Sequence, residues 1–571
     1  MNPDAPATVA PETTAPEAER LKDVIARVER GETVRLDSLL PLVNGQDRNV
    51  RGLAKRLLAK LVTEQARHES ARLLFSACDE LECRQPELVA ETAQQLFDLR
   101  QAGPLLDLLM KAAEYAAGRG DFDTTLVQMQ NALALDPRAG GTAATHPDTI
   151  RRAVRLYERV ARGSPWARRV QPATPRQRRS PAGEKLRLAH CVCQIAGPGH
   201  APTDMVISML RFADHERFDN SLIVTESLVQ HARQPHQICT TPDSAQRAPD
   251  PLRHIRQHLG IPVFMPGSFE SFQKSAADLH RQLAEKQIDI VFFHGSLTTP
   301  IDWLLCAWQA APWQFDRGFG VPLYCPNVNY QFFEMAPLMD ALSGLFRERG
   351  VPFGLGPLGA IDLSHFENAQ PLPRAELGIP DDHVILGTVG NHLPARMGAD
   401  FCRTVADVMK RHPKTTYLVI GPGPFEYQPT LFETAQLPET GGGPRVRFLG
   451  SKSNPARWTR TFDIYLNEYP GGGGMSIREA MACGKPIVCM QAGESLYSLA
   501  AAVCVGEDNL VTPASNEAYA QRLDQLIAEP DQRQLVAETI HNRYKQEFNP
   551  TKFARGMTDK IWEIVSADIN G

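Results

Sequence analysis

Residues 463–494 read DIYLNEYPGGGGMSIREAMACGKPIVCMQAGE and hold the densest set of side chains with a chemical use. The apolar run up to Leu466 or Asn467 has strand length, and Gly471, Gly472, Gly473 and Gly474 follow as a loop. A helix is predicted over 476–483, stopped by Gly484 with Pro486 beyond. A strand, a glycine loop and a helix start make a site for an anion. The glycines let a diphosphate approach the backbone, and the first helical amides are unpaired donors at the positive end of the helix. Met475 and Ser476 stand at that start, the serine adding a hydroxyl. Glu479 lies three residues beyond Ser476 on the same helical face, where its carboxylate can accept from ribose hydroxyls. Four glycines by themselves mark only a flexible loop; the strand before and the helix after give them this meaning.

Two histidines sit where strands of an open sheet would present ligand groups. The run after residue 186 enters GPGHAPTD, whose Gly197 and Gly199 allow a tight turn and bring His200 toward a cleft. A histidine there can orient a sugar or assist proton transfer at neutral pH. Asp204 reads as a cap for the following helix. His294 ends the run IDIVFFHG, also at a carboxyl end of a strand. Cys191 and Cys193 would share one strand face, but no second pair has zinc-site spacing, so no metal is expected.

The elements that must hold these residues form three blocks. From 19 to 160, Leu, Val and Ala recur every three or four residues, which predicts an all-α helical domain. Within it, 105–137 resembles one tetratricopeptide unit: Tyr115 and Ala116 end one helix, Gly120, Asp121 and Phe122 turn the chain, and Pro137 closes the pair. Only one unit is legible, so a plain bundle and a partner-binding groove both stand. Residues 161–185 mix arginines with prolines, which denies a continuous helix and predicts a basic linker or surface strap. Short apolar runs then alternate with helical stretches, at 188–193, 221–224, 263–265, 288–293 and 321–325, and again at 384–389, 416–420, 445–449, 463–466 and 487–490. Two such series predict two doubly wound α/β domains, 186–373 and 374–550, with a ligand cleft between them. A last helix over 551–571 is expected to cross back to the first domain.

Composition bounds the function. At 571 residues the chain is long enough for about three to four domains. A formal charge of −5 argues against nucleic acid as the main partner. No stretch reaches the roughly 20 apolar residues of a membrane span. Residues 1–18, rich in Ala, Pro and Thr, read as a disordered tail without a signal peptide. Eleven scattered cysteines fit reduced thiols, and a cytoplasmic location is expected.

The segment GGGGMSIREAMACGKPIV resembles the donor-site signature of the retaining family-four glycosyltransferases. In that group two glutamates separated by seven residues flank the loop. Glu479 matches the second, which binds ribose, whereas the first falls on Gly471; the resemblance implies that Glu468, three residues earlier, substitutes as the catalytic carboxylate. VILGTVGNHLPARMGADFC resembles the loop whose arginine and lysine clasp the donor diphosphate, which assigns Arg396 as the first cation and finds no lysine after it. RVRFLGSKSNPARW continues the order, with Lys452 bordering the nucleobase. A second resemblance is to the O-GlcNAc transferase group with its bacterial cytoplasmic protein N-glycosyltransferases, carried by AAPWQFDRGFGVP and QAGESLYSLAAAVCV. Both groups place a histidine near the donor, which falls here on His200. The resemblances together imply a GT-B hexosyltransferase that uses a UDP-linked sugar without metal or cofactor. The acceptor expected is a saccharide, including one on a glycoprotein; the alternatives are a polypeptide side chain, with the helical domain contacting that protein, and an inactive sugar-nucleotide scaffold. The first resemblance implies retention and the second inversion; retention is the expectation taken forward.

Overall fold

The computed structural model describes residues 16–570 except 30–38, 62–66, 139–145, 175–184, 198, 233–235, 239, 296–297, 319–323, 426–427, 436, 438–443 and 494. Residues 1–15 of the expected tail therefore lie outside the described residues, and Glu17 and Ala18 already belong to the first helix, Glu17–Glu29. Among the described residues, helices alone build the block up to Gly163. The clearest pair is Ala102–Gly118 and Phe122–Arg138, where Leu105, Leu108, Leu109, Ala113 and Ala117 line a buried stripe against Leu126, Met129 and Ala132. The first helix of this pair runs on past Ala116 to Gly118, because Gly120, at φ +76, is the residue that takes the left-handed turn.

Two parallel sheets follow. The first contains β1 (Leu186–Val192), β2 (Phe218–Val224), β3 (Val263–Phe264), β4 (Ile290–Phe293), β5 (Trp313–Gly318), β6 (Tyr330–Phe333) and β7 (Phe353–Leu355), in the order β3-β2-β1-β4-β5-β6-β7. The second contains β8 (Val384–Val389), β9 (Thr415–Ile420), β10 (Val446–Phe448), β11 (Ile464–Leu466) and β12 (Ile487–Val488), in the order β10-β9-β8-β11-β12. Strands buried on both faces explain their near-continuous apolar runs, such as VILGTV in β8. The helix Pro550–Asn570 returns to the first domain, where Asp568 accepts from Trp313 Nε1 at 2.9 Å and Asp559 pairs with Arg217.

The first sheet differs from the expectation. Tyr324 and Cys325 are not in a strand, and 321–323 lie outside the described residues. Three strands unread in the sequence, β5, β6 and β7, complete the sheet instead. The reason is polar: β5 carries Gln314, Asp316 and Arg317, all fully buried, so its apolar signal is broken. Gln314 is satisfied by donating to Cys306 O and Asn327 O, and Arg317 is paired with Glu334. The expected linker also begins late. The helix Pro147–Gly163 covers its first residues, and the strap behind it packs Trp166 and Val170 on the core and donates Ala173 N to Gln309 O at 2.9 Å.

The helical block docks on the first α/β domain through polar as well as apolar contacts. Gln130 donates to Ser227 O at 2.9 Å, and Asn131 both donates to His236 O at 3.1 Å and accepts from Ile238 N at 3.0 Å. Tyr157 stacks on Trp303 with ring centroids 4.9 Å apart and donates to Thr298 O. Fixed main-chain partners of this kind define one docking register where an apolar face alone would permit several.

Candidate active site

Each sheet reverses its strand order once, between β1 and β4 in the first and between β8 and β11 in the second. Diverging connections leave a crevice at the carboxyl ends of such strands. The loops after β1 and β4 carry His200 and His294; those after β8 and β11 carry Arg396 and Gly471–Gly474. Four separate stretches of chain are thus brought to two facing crevices by topology.

On the second domain, β11 leads through Asn467 and Glu468 into the glycines, and the helix Gly474–Ala482 starts inside them, two residues earlier than predicted. Its N-cap is Gly473, without a side-chain cap, so the first amides remain available to an anion. Gly472 holds φ +73, and Asn467 Oδ1 accepts from Gly473 N at 3.0 Å, which pins the loop. Arg396 lies across this loop. A Cβ on Gly471 would stand 2.6 Å from Arg396 Cβ, and one on Gly473 would stand 2.7 Å from both Arg396 Nη1 and Ser476 Oγ. The glycines therefore make room for an arginine as well as for a phosphate. The Arg396 guanidinium also sits 6.0 Å from the centre of the Tyr497 ring.

Glu468 is not on the cleft wall. It is fully buried, with Oε1 3.0 Å from Arg396 Nε, and neither of its oxygens accepts an aligned hydrogen bond. Burial raises its pKa, and the Arg396 charge opposes that rise. A carboxylate buried beneath the loop beside Arg396 is not presented to the cleft, which corrects the expected substitution for the carboxylate missing at Gly471. The physical reason is that the Arg396 stem already fills the space over Gly471.

Glu479, partly buried, faces the first domain. Burial, with the charge of Asp204 added, pushes its carboxyl up to about 8. Asp204, in the first turn of the helix Ala201–Phe212, is itself raised to about 6 by burial, against a backbone hydrogen bond at Gly199. The aspartate is thus a charged neighbour of Glu479 across the cleft, a role that a cap reading of the sequence does not contain.

His200 is the N-cap residue of that same helix. Its Nδ1 is 2.8 Å from Thr203 Oγ1 and its Nε2 is 3.5 Å from Gln194 Nε2. Arg247 donates to Gln194 Oε1 at 2.7 Å, which turns the Gln194 amide nitrogen toward the ring. This network assigns the proton to Nδ1, donated to Thr203, and leaves Nε2 as the acceptor facing the Gln194 amide. Burial, then the Arg247 charge, lowers the imidazole to about 4, so it is neutral at pH 7.

His294 belongs to a separate buried chain. Its Nε2 lies 2.9 Å from His190 Nδ1, and His190 Nε2 lies 3.1 Å from Asn220 Oδ1. Burial lowers both rings, His190 to about 4. Lys452 stands 5.3 Å over the Trp458 ring, beyond β10. The structure thus brings Arg396, Gly472, Gly473, Gly474, Met475 and Ser476 to one point, sets Glu479 opposite Asp204 and His200, and leaves His294 and Lys452 at the edges. Tyr497, Asn467 and Asp204 went unread as site residues; Asn467, closing a strand before a glycine loop, carried the legible signal. Among the described residues, no three His, Cys, Asp or Glu side chains converge as metal ligands. No described helix is long and apolar enough to cross a membrane.

Comparison with known proteins falls on the same segment. Residues 383–529 match the family model described as Glycosyl transferases group 1. A D-inositol 3-phosphate glycosyltransferase of Corynebacterium kroppenstedtii is 28% identical over 214 residues, 35% of this chain and 46% of that protein, so the match spans about half the length of the relative. A mutant O-GlcNAc transferase of Thermobaculum terrenum superposes with a TM-score of 0.55 at 14% identity, covering 98% of this chain and 99% of that one. Anabaena HepE in complex with UDP and glucose superposes with a TM-score of 0.46 at 14% identity, over 66% of this chain and all of that one. Two facing parallel-sheet domains with a returning C-terminal helix, preceded by an all-helical region, make this chain a GT-B fold.

Proposed function

We propose that this chain is a glycosyltransferase that moves a hexose from a UDP-linked donor to a saccharide acceptor, including one carried on a protein. One observation carries the reading: within the stretch that matches the group 1 family model, an uncapped helix start meets a nearly buried arginine, Arg396, with Glu479 further along the same helix. Arg396 and the amides of Gly474, Met475 and Ser476 would take the diphosphate and offset the charge it gains on leaving. Glu479 would accept from the ribose hydroxyls. His200, neutral, would receive at Nε2 a hydrogen bond from a sugar or acceptor hydroxyl in place of the long contact from the Gln194 amide. No metal enters the reading, because the helix start and Arg396 supply the positive charge.

Retention is the stereochemical part of the proposal. With Gly471 lacking a side chain and Glu468 buried, the loop offers no carboxylate to form a glycosyl-enzyme bond. The acceptor oxygen would bond to the anomeric carbon on the face the diphosphate leaves, and its proton would pass to a diphosphate oxygen. A second reading, transfer to a polypeptide side chain, is favoured by the helical domain's fixed docking beside the acceptor domain through Gln130, Asn131 and Tyr157.

The experiment is incubation with a panel of UDP- and GDP-sugars while free nucleotide is followed. Release from a UDP-hexose supports the enzyme. Binding without release supports the scaffold alternative, and neither binding nor release removes the donor-site assignment. Deleting the helical domain, with transfer assayed at saturating donor, then separates the acceptors: unchanged transfer to small saccharides supports the first reading, and loss confined to polypeptides supports the second.

A further inference from the structure

The helical domain touches the donor site itself. Arg100, between the helices Pro86–Asp98 and Ala102–Gly118, donates from Nη2 to Pro394 O at 3.0 Å and from Nη1 to Ala395 O at 3.4 Å. Those carbonyls belong to the one-turn helix Leu393–Arg396, the turn that projects Arg396 over the glycine loop. Pro394 O also accepts from Gln428 Nε2 at 2.9 Å, and Gln428 reaches Met397 O at 3.2 Å. The turn is therefore gripped from its own domain by Gln428 and from the helical domain by Arg100, almost three hundred positions earlier in the chain.

The backbone at Arg100 sharpens the point. Its φ is +54, the left-handed region that disfavours a residue with a Cβ. The corner is a Schellman motif: Gln101 N donates to Leu96 O at 2.8 Å and Arg100 N to Phe97 O at 2.9 Å. The next corner of the same domain builds the same motif on Gly120, with Asp121 N donating to Ala116 O and Gly120 N to Ala117 O. An arginine where glycine fits better brings a long cation to the donor loop.

We propose that Arg100 is a positioning residue for the donor site: by holding the carbonyls of Pro394 and Ala395, it sets the Arg396 guanidinium over the glycine loop and makes donor affinity depend on the helical domain. The inference rests on the donor-site reading above and deepens it, since the helical domain then serves the donor as well as the acceptor.

The test is calorimetric titration of the full chain with UDP, using wild type, Arg100→Gly, Arg100→Ala and Arg100→Lys, beside their melting temperatures. Glycine suits the left-handed corner, so Arg100→Gly is expected to melt no lower than wild type while its UDP Kd rises about fivefold. Arg100→Lys, keeping one donor cation, should fall between. The donor KM should rise with kcat unchanged, and hydrogen exchange at the amides of Ala395, Arg396 and Met397 should quicken. Affinity equal to wild type in both the glycine and alanine variants overturns the proposal, and so does a loss of affinity that only tracks a loss of melting temperature. If wild type itself binds no UDP, it is the donor-site reading that fails, an outcome distinct from equal binding by all four proteins.

Discussion

The Arg396 side chain occupies the space above Gly471: a Cβ on that glycine would stand 2.6 Å from Arg396 Cβ and 2.8 Å from its Cα. The carboxylate that the family-four signature places at this position is therefore excluded by an arginine stem, and the two residues form one packing unit.

Gly471→Glu is accordingly expected to damage the site that it superficially restores. The new side chain must displace Arg396, and UDP affinity should fall by about tenfold or more. Calorimetric titration checks this; tighter binding or a gain in transfer rate would show that Arg396 can move aside.

Glu468 and Arg396 should respond in opposite directions. Glu468→Gln removes the charge that competes with phosphate for Arg396, so UDP should bind several-fold tighter. Arg396→Ala removes the phosphate cation and strands a buried carboxylate, costing about 3 kcal/mol of stability as well as donor affinity. The double variant Arg396→Met with Glu468→Gln should regain the stability and not the affinity. Chemical denaturation and UDP titration, read together, separate the two effects.

Glu479 makes donor binding pH-dependent with a defined sign. Its carboxyl titrates at about 8 in the free protein and must be ionised to accept fully from ribose. UDP affinity should therefore rise between pH 6 and 8.5, with net proton release on binding at pH 7. Stability moves the other way. The unfolded carboxyl titrates near 4.5, so the folded state holds the extra proton between about 4.5 and 8, and stability is lost as pH rises through that window. Glu479→Gln should remove both slopes and raise the melting temperature more at pH 8 than at pH 5. Asp204→Asn should shift the affinity midpoint to lower pH.

His200 should contribute no acid limb near its ordinary pKa. Burial and Arg247 hold it neutral down to about pH 4, so transfer measured between pH 6 and 8 should not fall because His200 gains a proton. Arg247→Ala, by removing the smaller of the two causes, should raise the His200 pKa only in part, with burial still holding the ring neutral across that range. His200→Asn should lower kcat about a hundredfold with UDP affinity retained.

The second domain was legible because its signals are local. The strands β8 and β9 are near-continuous apolar runs, VILGTV and TTYLVI, and the glycines are followed at once by a helix with a clear stop. The first domain was less so. The strand β5 hides behind Gln314, Asp316 and Arg317, whose burial depends on partners such as Glu334 that no local pattern shows. Residue types at the site could be read, but not their depth: nothing in NEYPGGGG says that Glu468 points inward while an arginine seventy residues away covers the loop. Asp204 has the same history. As a first-turn carboxylate it has a sufficient local explanation, and its approach to Glu479 exists only once two domains face each other.

The return of the helix Pro550–Asn570 to the first domain bears on how the chain is made. The ion pair of Arg217 with Asp559 and the bond from Trp313 to Asp568 cannot form until residues 550–570 have been synthesised. The second domain is thus an insertion within the first, and on a ribosome it can close its own sheet while its neighbour still awaits a final surface. Vectorial synthesis would then deliver a finished nucleotide pocket before the opposing half of the cleft is complete.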